Sequence, residues 1–94
     1  MIFPPETVFI RSPEPLTTEI DGEVVMMDLS SSAYFNLDSI GTAIWGQLET
    51  PTRFQDLCGA LHARYDAPLD IIRRDVAALL SDMLTHGLVR KEVP

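Results

Sequence analysis

The chain has 94 residues, 46% of them hydrophobic, and 14 acidic against 7 basic side chains leave a net charge of −7. That length fits one domain with a modest core, and the acidic balance disfavours phosphate backbones and anionic membranes as partners. With one cysteine, Cys58, no internal disulfide can form, which fits a reducing compartment.

The N-terminus, "MIFPPETVF", has neither a basic start nor a long apolar run, so it is not read as a signal peptide. No stretch nears the roughly 20 apolar residues of a membrane helix, and a soluble, cytoplasmic protein is expected. Residues 1–15 hold four of the seven prolines (Pro4, Pro5, Pro13 and Pro15) and read as an arm, with Thr7 to Arg11 suited to a short edge strand. The domain proper is expected over residues 16–94.

Leu16 to Ile20 and Glu23 to Leu29 are rich in Thr, Ile, Val and Met, which favours strands. Asp21-Gly22 between them is a two-residue hairpin signal. Ser30 to Ser32 should turn the chain again, and "AYFNL", Ala33 to Leu37, returns as a third strand. Asp38 or Ser39 caps a first helix that carries Ile40, Ile44, Trp45 and Leu48. Thr50-Pro51-Thr52 breaks it, and Thr52 is the expected cap of a second helix, with Phe54, Leu57, Cys58, Leu61 and Tyr65 on one face. Asp66-Ala67-Pro68 ends that helix. The third begins at Leu69 or Asp70 and runs to His86, with Gly87 as its C-terminal cap. "LVRKEV" then makes a short tail strand or wing. The expected fold class is α+β: a three-stranded antiparallel sheet followed by three helices, in a winged helix-turn-helix-like arrangement.

The pattern holds no catalytic constellation. Cys58 and His62, four residues apart on a helix, could touch, which leaves a cysteine hydrolase as one reading. An active thiolate needs an exposed, electropositive site, so a core cysteine beside a surface histidine is preferred. Two histidines with one cysteine match no common zinc spacing, and no glycine belongs to a phosphate-binding loop. Neither metal nor cofactor is expected. Arg73 and Arg74, between Asp70 and Asp75, read as a solvated helix face.

The third helix has a wider apolar band than a small domain needs. Ile72, Val76, Leu79 and Met83 make a sufficient core face. A second stripe, Ala77, Leu80 and Leu84, starts from Arg73 and runs beside it. A broad core contact explains this band; a groove lined by the second stripe is the alternative. The third strand poses a related question. "AYFNL" lacks the prolines and lysines that usually protect an edge. Phe35 and Leu37 point one way, and Tyr34 and Asn36 the other. An open edge beside an apolar helix stripe is what strand addition by a peptide uses, unless the arm at Thr7 to Arg11 covers it.

On "DGEVVMMDL", "AYFNLDSIGTAIW", "YDAP" and "DVAALLSDMLTHGL" the chain resembles the PqqD family, named for pyrroloquinoline quinone biosynthesis, whose domain is also called the RiPP recognition element. RiPPs are ribosomally made, post-translationally modified peptides. Asp28, Tyr34, Leu37, Gly41, Trp45, Asp75, Val76, Leu80, Gly87 and Leu88 stand where the family has like residues. Ser32 replaces a frequent glycine and Asp38 a frequent asparagine. The resemblance implies a non-catalytic protein that binds the leader of a precursor peptide as an added strand and presents it to a modifying enzyme. It is most similar to the stand-alone leader-binding proteins of lasso peptide biosynthesis, whose partner is a separate leader peptidase. Carried onto this chain, the peptide contacts fall on Ala33, Tyr34, Phe35, Asn36 and Leu37 of the strand and on Arg73, Ala77, Leu80 and Leu84 of the third helix. The rival readings are a DNA-binding winged-helix regulator, which the acidic charge opposes, and a PqqD-type adaptor for a different modifying enzyme.

Overall fold

A computed structural model describes residues 3–13, 15–28 and 32–92. The turn expected at Ser30 and Ser31, and the strand end expected at Leu29, lie outside the described residues. Two three-stranded antiparallel sheets and three helices are present.

The first sheet is the expected meander of β2 (Leu16–Ile20), β3 (Glu23–Asp28) and β4 (Ala33–Asn36), with β3 in the middle. Its first turn has Asp21 at φ 52° and Gly22 at φ 80°. Positive φ at both central positions defines a type I′ turn, whose twist suits the flanking strands. Ile20 accordingly pairs with Glu23, and Leu16 with Met27. Ser32 also sits at positive φ, 58°, in the place where the family often has glycine. Val24 and Met26 of β3 are buried and set the inner face, while β2 is exposed along its whole length.

The second sheet was not expected. β1 (Val8–Arg11) is its central strand, between β5 (Thr52–Arg53) and β6 (Val89–Glu92). Val8 pairs with both Arg53 and Glu92. The tail strand is therefore tied to the N-terminal segment and is no free wing, and the single sheet of the expected winged arrangement gives way to two. Phe9 has no exposed surface, and Phe3 packs edge-on to both Phe9 and Phe54 at centroid distances of 5.0 and 5.8 Å.

The N-terminal segment also starts α2 (Phe54–Arg64). Thr7 O accepts from Phe54 N at 2.8 Å, and Pro5 O from Gln55 N at 3.0 Å. A helix start leaves such N–H groups orphaned, and here backbone carbonyls from far along the chain satisfy them. Thr52 is thus not the cap: it lies in β5, and its hydroxyl donates to Gln47 O and Thr50 O.

α1 (Ser39–Gln47) is capped as expected by Asp38, whose carboxylate accepts from Gly41 N at 2.8 Å. α3 (Leu69–Thr85) ends on Gly87 at φ 71°. Leu88 N donates to Met83 O and Gly87 N to Leu84 O, the paired bonds of a Schellman motif.

Phe9→Ala should cost about 3–5 kcal/mol, as truncation of a buried phenylalanine does. That is a large part of the roughly 5–15 kcal/mol of a small domain, and a urea titration will show it as a lower midpoint. Thr42→Val, which removes the hydroxyl that accepts from Val24 N at 2.9 Å, should cost about 1–3 kcal/mol by leaving that N–H unpaired. Thr42→Ser should lose much less in the same melting experiment.

Candidate functional site

β4 is an edge strand, and among the described residues no strand pairs with its outer side. The N-terminal strand that could have covered it lies in the other sheet. Leu37 N donates to Val24 O at 2.8 Å, in register with the pairs Phe35–Met26 and Asn36–Val25. Antiparallel pairs alternate between hydrogen-bonded and non-hydrogen-bonded. The backbone groups of Phe35 and Leu37 therefore point to β3, and those of Tyr34 and Asn36 point to the open edge.

Side chains alternate across the same strand. Phe35 and Leu37 face inward with Met26 and Val24. Tyr34, 60% exposed, lies on the outer face beside Met27.

The strand end is held firmly. Thr42 Oγ1 accepts from Val24 N and donates to Leu37 O at 3.3 Å, so one hydroxyl joins β3, β4 and α1. Gly41 packs closely there: an added Cβ would sit 3.2 Å from Leu37 Cβ, tight enough that the neighbouring residue would have to shift by a few tenths of an ångström.

A groove runs between β4 and α3. Its middle, a hollow of about 370 Å³, lies between Leu37, Asp38, Ile40 and Ile44 on one side and Asp75, Val76 and Leu79 on the other. Toward the C-terminal end of α3 it continues into about 240 Å³ bounded by Phe35, Leu79, Asp82, Met83 and His86. The Phe35 and His86 rings meet edge-on there, 4.9 Å apart. Toward the N-terminal end it narrows to about 80 Å³ among Ile40, Tyr65, Ala67 and Ile71. β4 thus runs opposite in direction to α3, with Leu79 midway along the shared wall.

The helix residues expected to line the groove do not. Ala77 and Leu80 have no exposed surface, so they belong to the core. Arg73 is near enough to Cys58 of α2 to act on its thiol, which places it away from β4. Leu84 is half-buried against the core and is absent from the groove wall. The face turned to β4 is instead Asp75, Leu79, Asp82 and His86, with Val76 and Met83 at its base. On a helix these lie about 100° or less to the other side of the core stripe, so the band was wide for the reason of broad burial and the groove lies on its polar flank. The usable signal was Leu79, an apolar residue between two aspartates on a line with His86. On the strand, Phe35, Asn36 and Leu37 do line the groove, while Tyr34 lies on the sheet's outer face. The backbone of Ala33 pairs with Asp28.

Other edges lack such a neighbour. β6 carries Arg90, Lys91 and Glu92, all exposed, a charged edge of the protected kind. The hollow beside it, though larger at about 680 Å³, is walled by Arg11, Glu49, Arg90 and Lys91 and has no helix face behind it.

Cys58 is 1% exposed, and burial pushes its thiol above the ordinary value, with the Arg73 guanidinium opposing. The burial and the raised thiol work against a thiolate nucleophile. Among the described residues no group of three or more His, Cys, Asp or Glu side chains could hold a metal, and no helix is long and apolar enough to cross a membrane.

The chain belongs to the PqqD family: the family described as coenzyme PQQ synthesis protein D matches residues 23–89. Among solved structures, TbiB1 in complex with the TbiA(beta) leader peptide is similar, with a TM-score of 0.80 and 28% identity over 90% of this chain and 99% of that one. A lasso peptide synthetase B1 complexed with its leader peptide shares the fold, with a TM-score of 0.77 and 24% identity over 87% and 96%. Comparison with curated proteins gave no match.

Leu80→Ala should cost about 2–5 kcal/mol, as a core leucine does. Leu79→Ala should cost clearly less, because Leu79 is half-buried and faces the groove. Chemical denaturation of the two variants side by side checks the order.

Proposed function

We propose that this protein binds the leader region of a ribosomally made precursor peptide and presents it to a separate modifying enzyme, the leader peptidase of lasso peptide biosynthesis. The leader adds as a strand to the open edge of β4, and alternate side chains enter the groove against α3. Binding alone is the function; no bond is made or broken. The observation that carries this reading is the unpaired edge of β4 beside an apolar groove. The likeness to TbiB1, which was solved with a leader peptide, supports it.

The energetics divide between edge and groove. Tyr34 and Asn36 offer an N–H and a C=O each. At about 0.5–1.5 kcal/mol net per hydrogen bond, these four groups supply roughly 2–6 kcal/mol. A micromolar complex needs about 8 kcal/mol. The remainder, and the specificity, must come from side chains that fill the groove around Leu79, Ile44 and Met83.

Residue-resolved amide exchange tests the mode. The leader should slow exchange at Tyr34 and Asn36, whose N–H groups face the open edge, and change Phe35 and Leu37 little because β3 already holds them. Protection confined to α2, or to the exposed strand β2, is the result that sinks strand addition.

A further inference from the structure

The groove is apolar at its base and acidic at its rim. Asp38, Asp75 and Asp82 line it, and none of the seven Lys and Arg side chains does. Among the described residues neither Asp75 nor Asp82 forms an ion pair with a Lys or Arg, so their carboxylates are not neutralised from within. Both are exposed and both stand on the α3 wall, on either side of Leu79. His86 shares that wall, but its Nδ1 is 2.9 Å from Asp82 O and its ring lies against Phe35.

We infer that the groove selects extended peptides that carry Lys or Arg among their apolar residues, with two cations placed to meet Asp75 and Asp82. This rests on the leader-binding reading and names the chemistry of the leader it takes. The two aspartates stand seven positions apart on the helix, a rise of about 10.5 Å. An extended strand covers that distance in about three residues. Because only alternate side chains of the strand face α3, the cations should stand four residues apart, about 13 Å and within the reach of long side chains, with the apolar residue midway between them meeting Leu79. A peptide with carboxylates at those positions would be repelled both locally and by the chain's net charge of −7. The acidic rim thus acts as a filter against wrong peptides as well as an attraction for the right one.

The test uses displayed peptides with about ten random residues, enough to span the groove in extended form. They are selected at low ionic strength on the full chain and, separately, on the exposed-site double variant Asp75→Lys/Asp82→Lys. A second double variant, Glu6→Lys/Glu49→Lys, changes the net charge equally but lies away from the groove. Pools from the parent and from the Glu6/Glu49 variant should both be enriched in paired basic residues four apart. The pool from Asp75→Lys/Asp82→Lys should be enriched in acidic ones. A parent-selected peptide should bind Asp75→Asn/Asp82→Asn about three- to tenfold more weakly, the range expected for two exposed ion pairs. Selected peptides that protect Tyr34 and Asn36 amides yet show no basic preference overturn this inference alone. Peptides that leave those amides unprotected, or a failure to select any binder, overturn the leader-binding reading and the inference with it.

Discussion

The step from β4 to α1 governs the rest of the site. Only Leu37 and Asp38 separate the last residue of β4 from the first of α1, and both are tied down. Leu37 is buried, donates to Val24 O and accepts from the Thr42 hydroxyl. Asp38 gives its side chain to Gly41 N and its carbonyl to Thr42 N. The edge strand therefore cannot swing independently of α1. Since Ile44 and Val76 both line the hollow beside Leu37, this junction also sets how far β4 stands from α3. The width of the groove follows from a cap, a glycine and a hydroxyl, of which Asp38 and Gly41 also line the groove.

α3 makes the opposite wall while also contributing to the core. Ile72, Val76, Ala77, Leu80 and Met83 are all buried, so the helix is held over a broad arc and leaves one flank free. That flank combines Leu79 with two aspartates and a histidine. Burial fixes the phase of the helix, and the phase decides which polar residues reach the groove. Ala77 and Leu80 would perturb binding only by loosening the helix; Leu79, Asp75 and Asp82 stand at the surface a peptide would meet.

Features set by neighbours in the chain were legible from the sequence. Asp21-Gly22 forms its I′ turn, Asp38 caps α1, Gly87 closes α3, and the three helices lie where their apolar spacing put them. The second sheet was not legible. It pairs Val8 with Glu92 and Phe9 with Thr52, contacts across most of the chain that no local pattern encodes, and prolines made the first segment resemble a loose arm. The cap of α2 was missed for the same reason, since its acceptors are Pro5 O and Thr7 O. The groove face of α3 was misplaced by one stripe. Periodicity gives the centre of an apolar band but not which neighbour each edge of the band will meet. On the strand the alternation was right, and the open edge was posed correctly as a question that only the pairing of β1 could answer.

The two sheets differ in how firmly they are held. β1 brings a fully buried phenylalanine and two partner strands, and the residues just before it, Pro5 and Thr7, supply carbonyls to α2. The β2–β3–β4 sheet has only its inner face for anchorage: Val24, Met26 and Leu37 are buried, β2 is exposed throughout, and Leu16, Ile20, Met27 and Tyr34 are exposed apolar or aromatic side chains of this sheet. Local opening is easiest where few apolar contacts must be broken. The sheet with the open edge is thus the less anchored one, fixed to the rest mainly at the Leu37–Thr42 junction. A strand added to β4 would pair the free backbone groups of Tyr34 and Asn36 and cover the groove side of Phe35. Because such a ligand binds the ordered sheet and not the opened one, it would stabilise that sheet by mass action. Affinity for a peptide and the order of its own binding surface are then two readings of the same ladder.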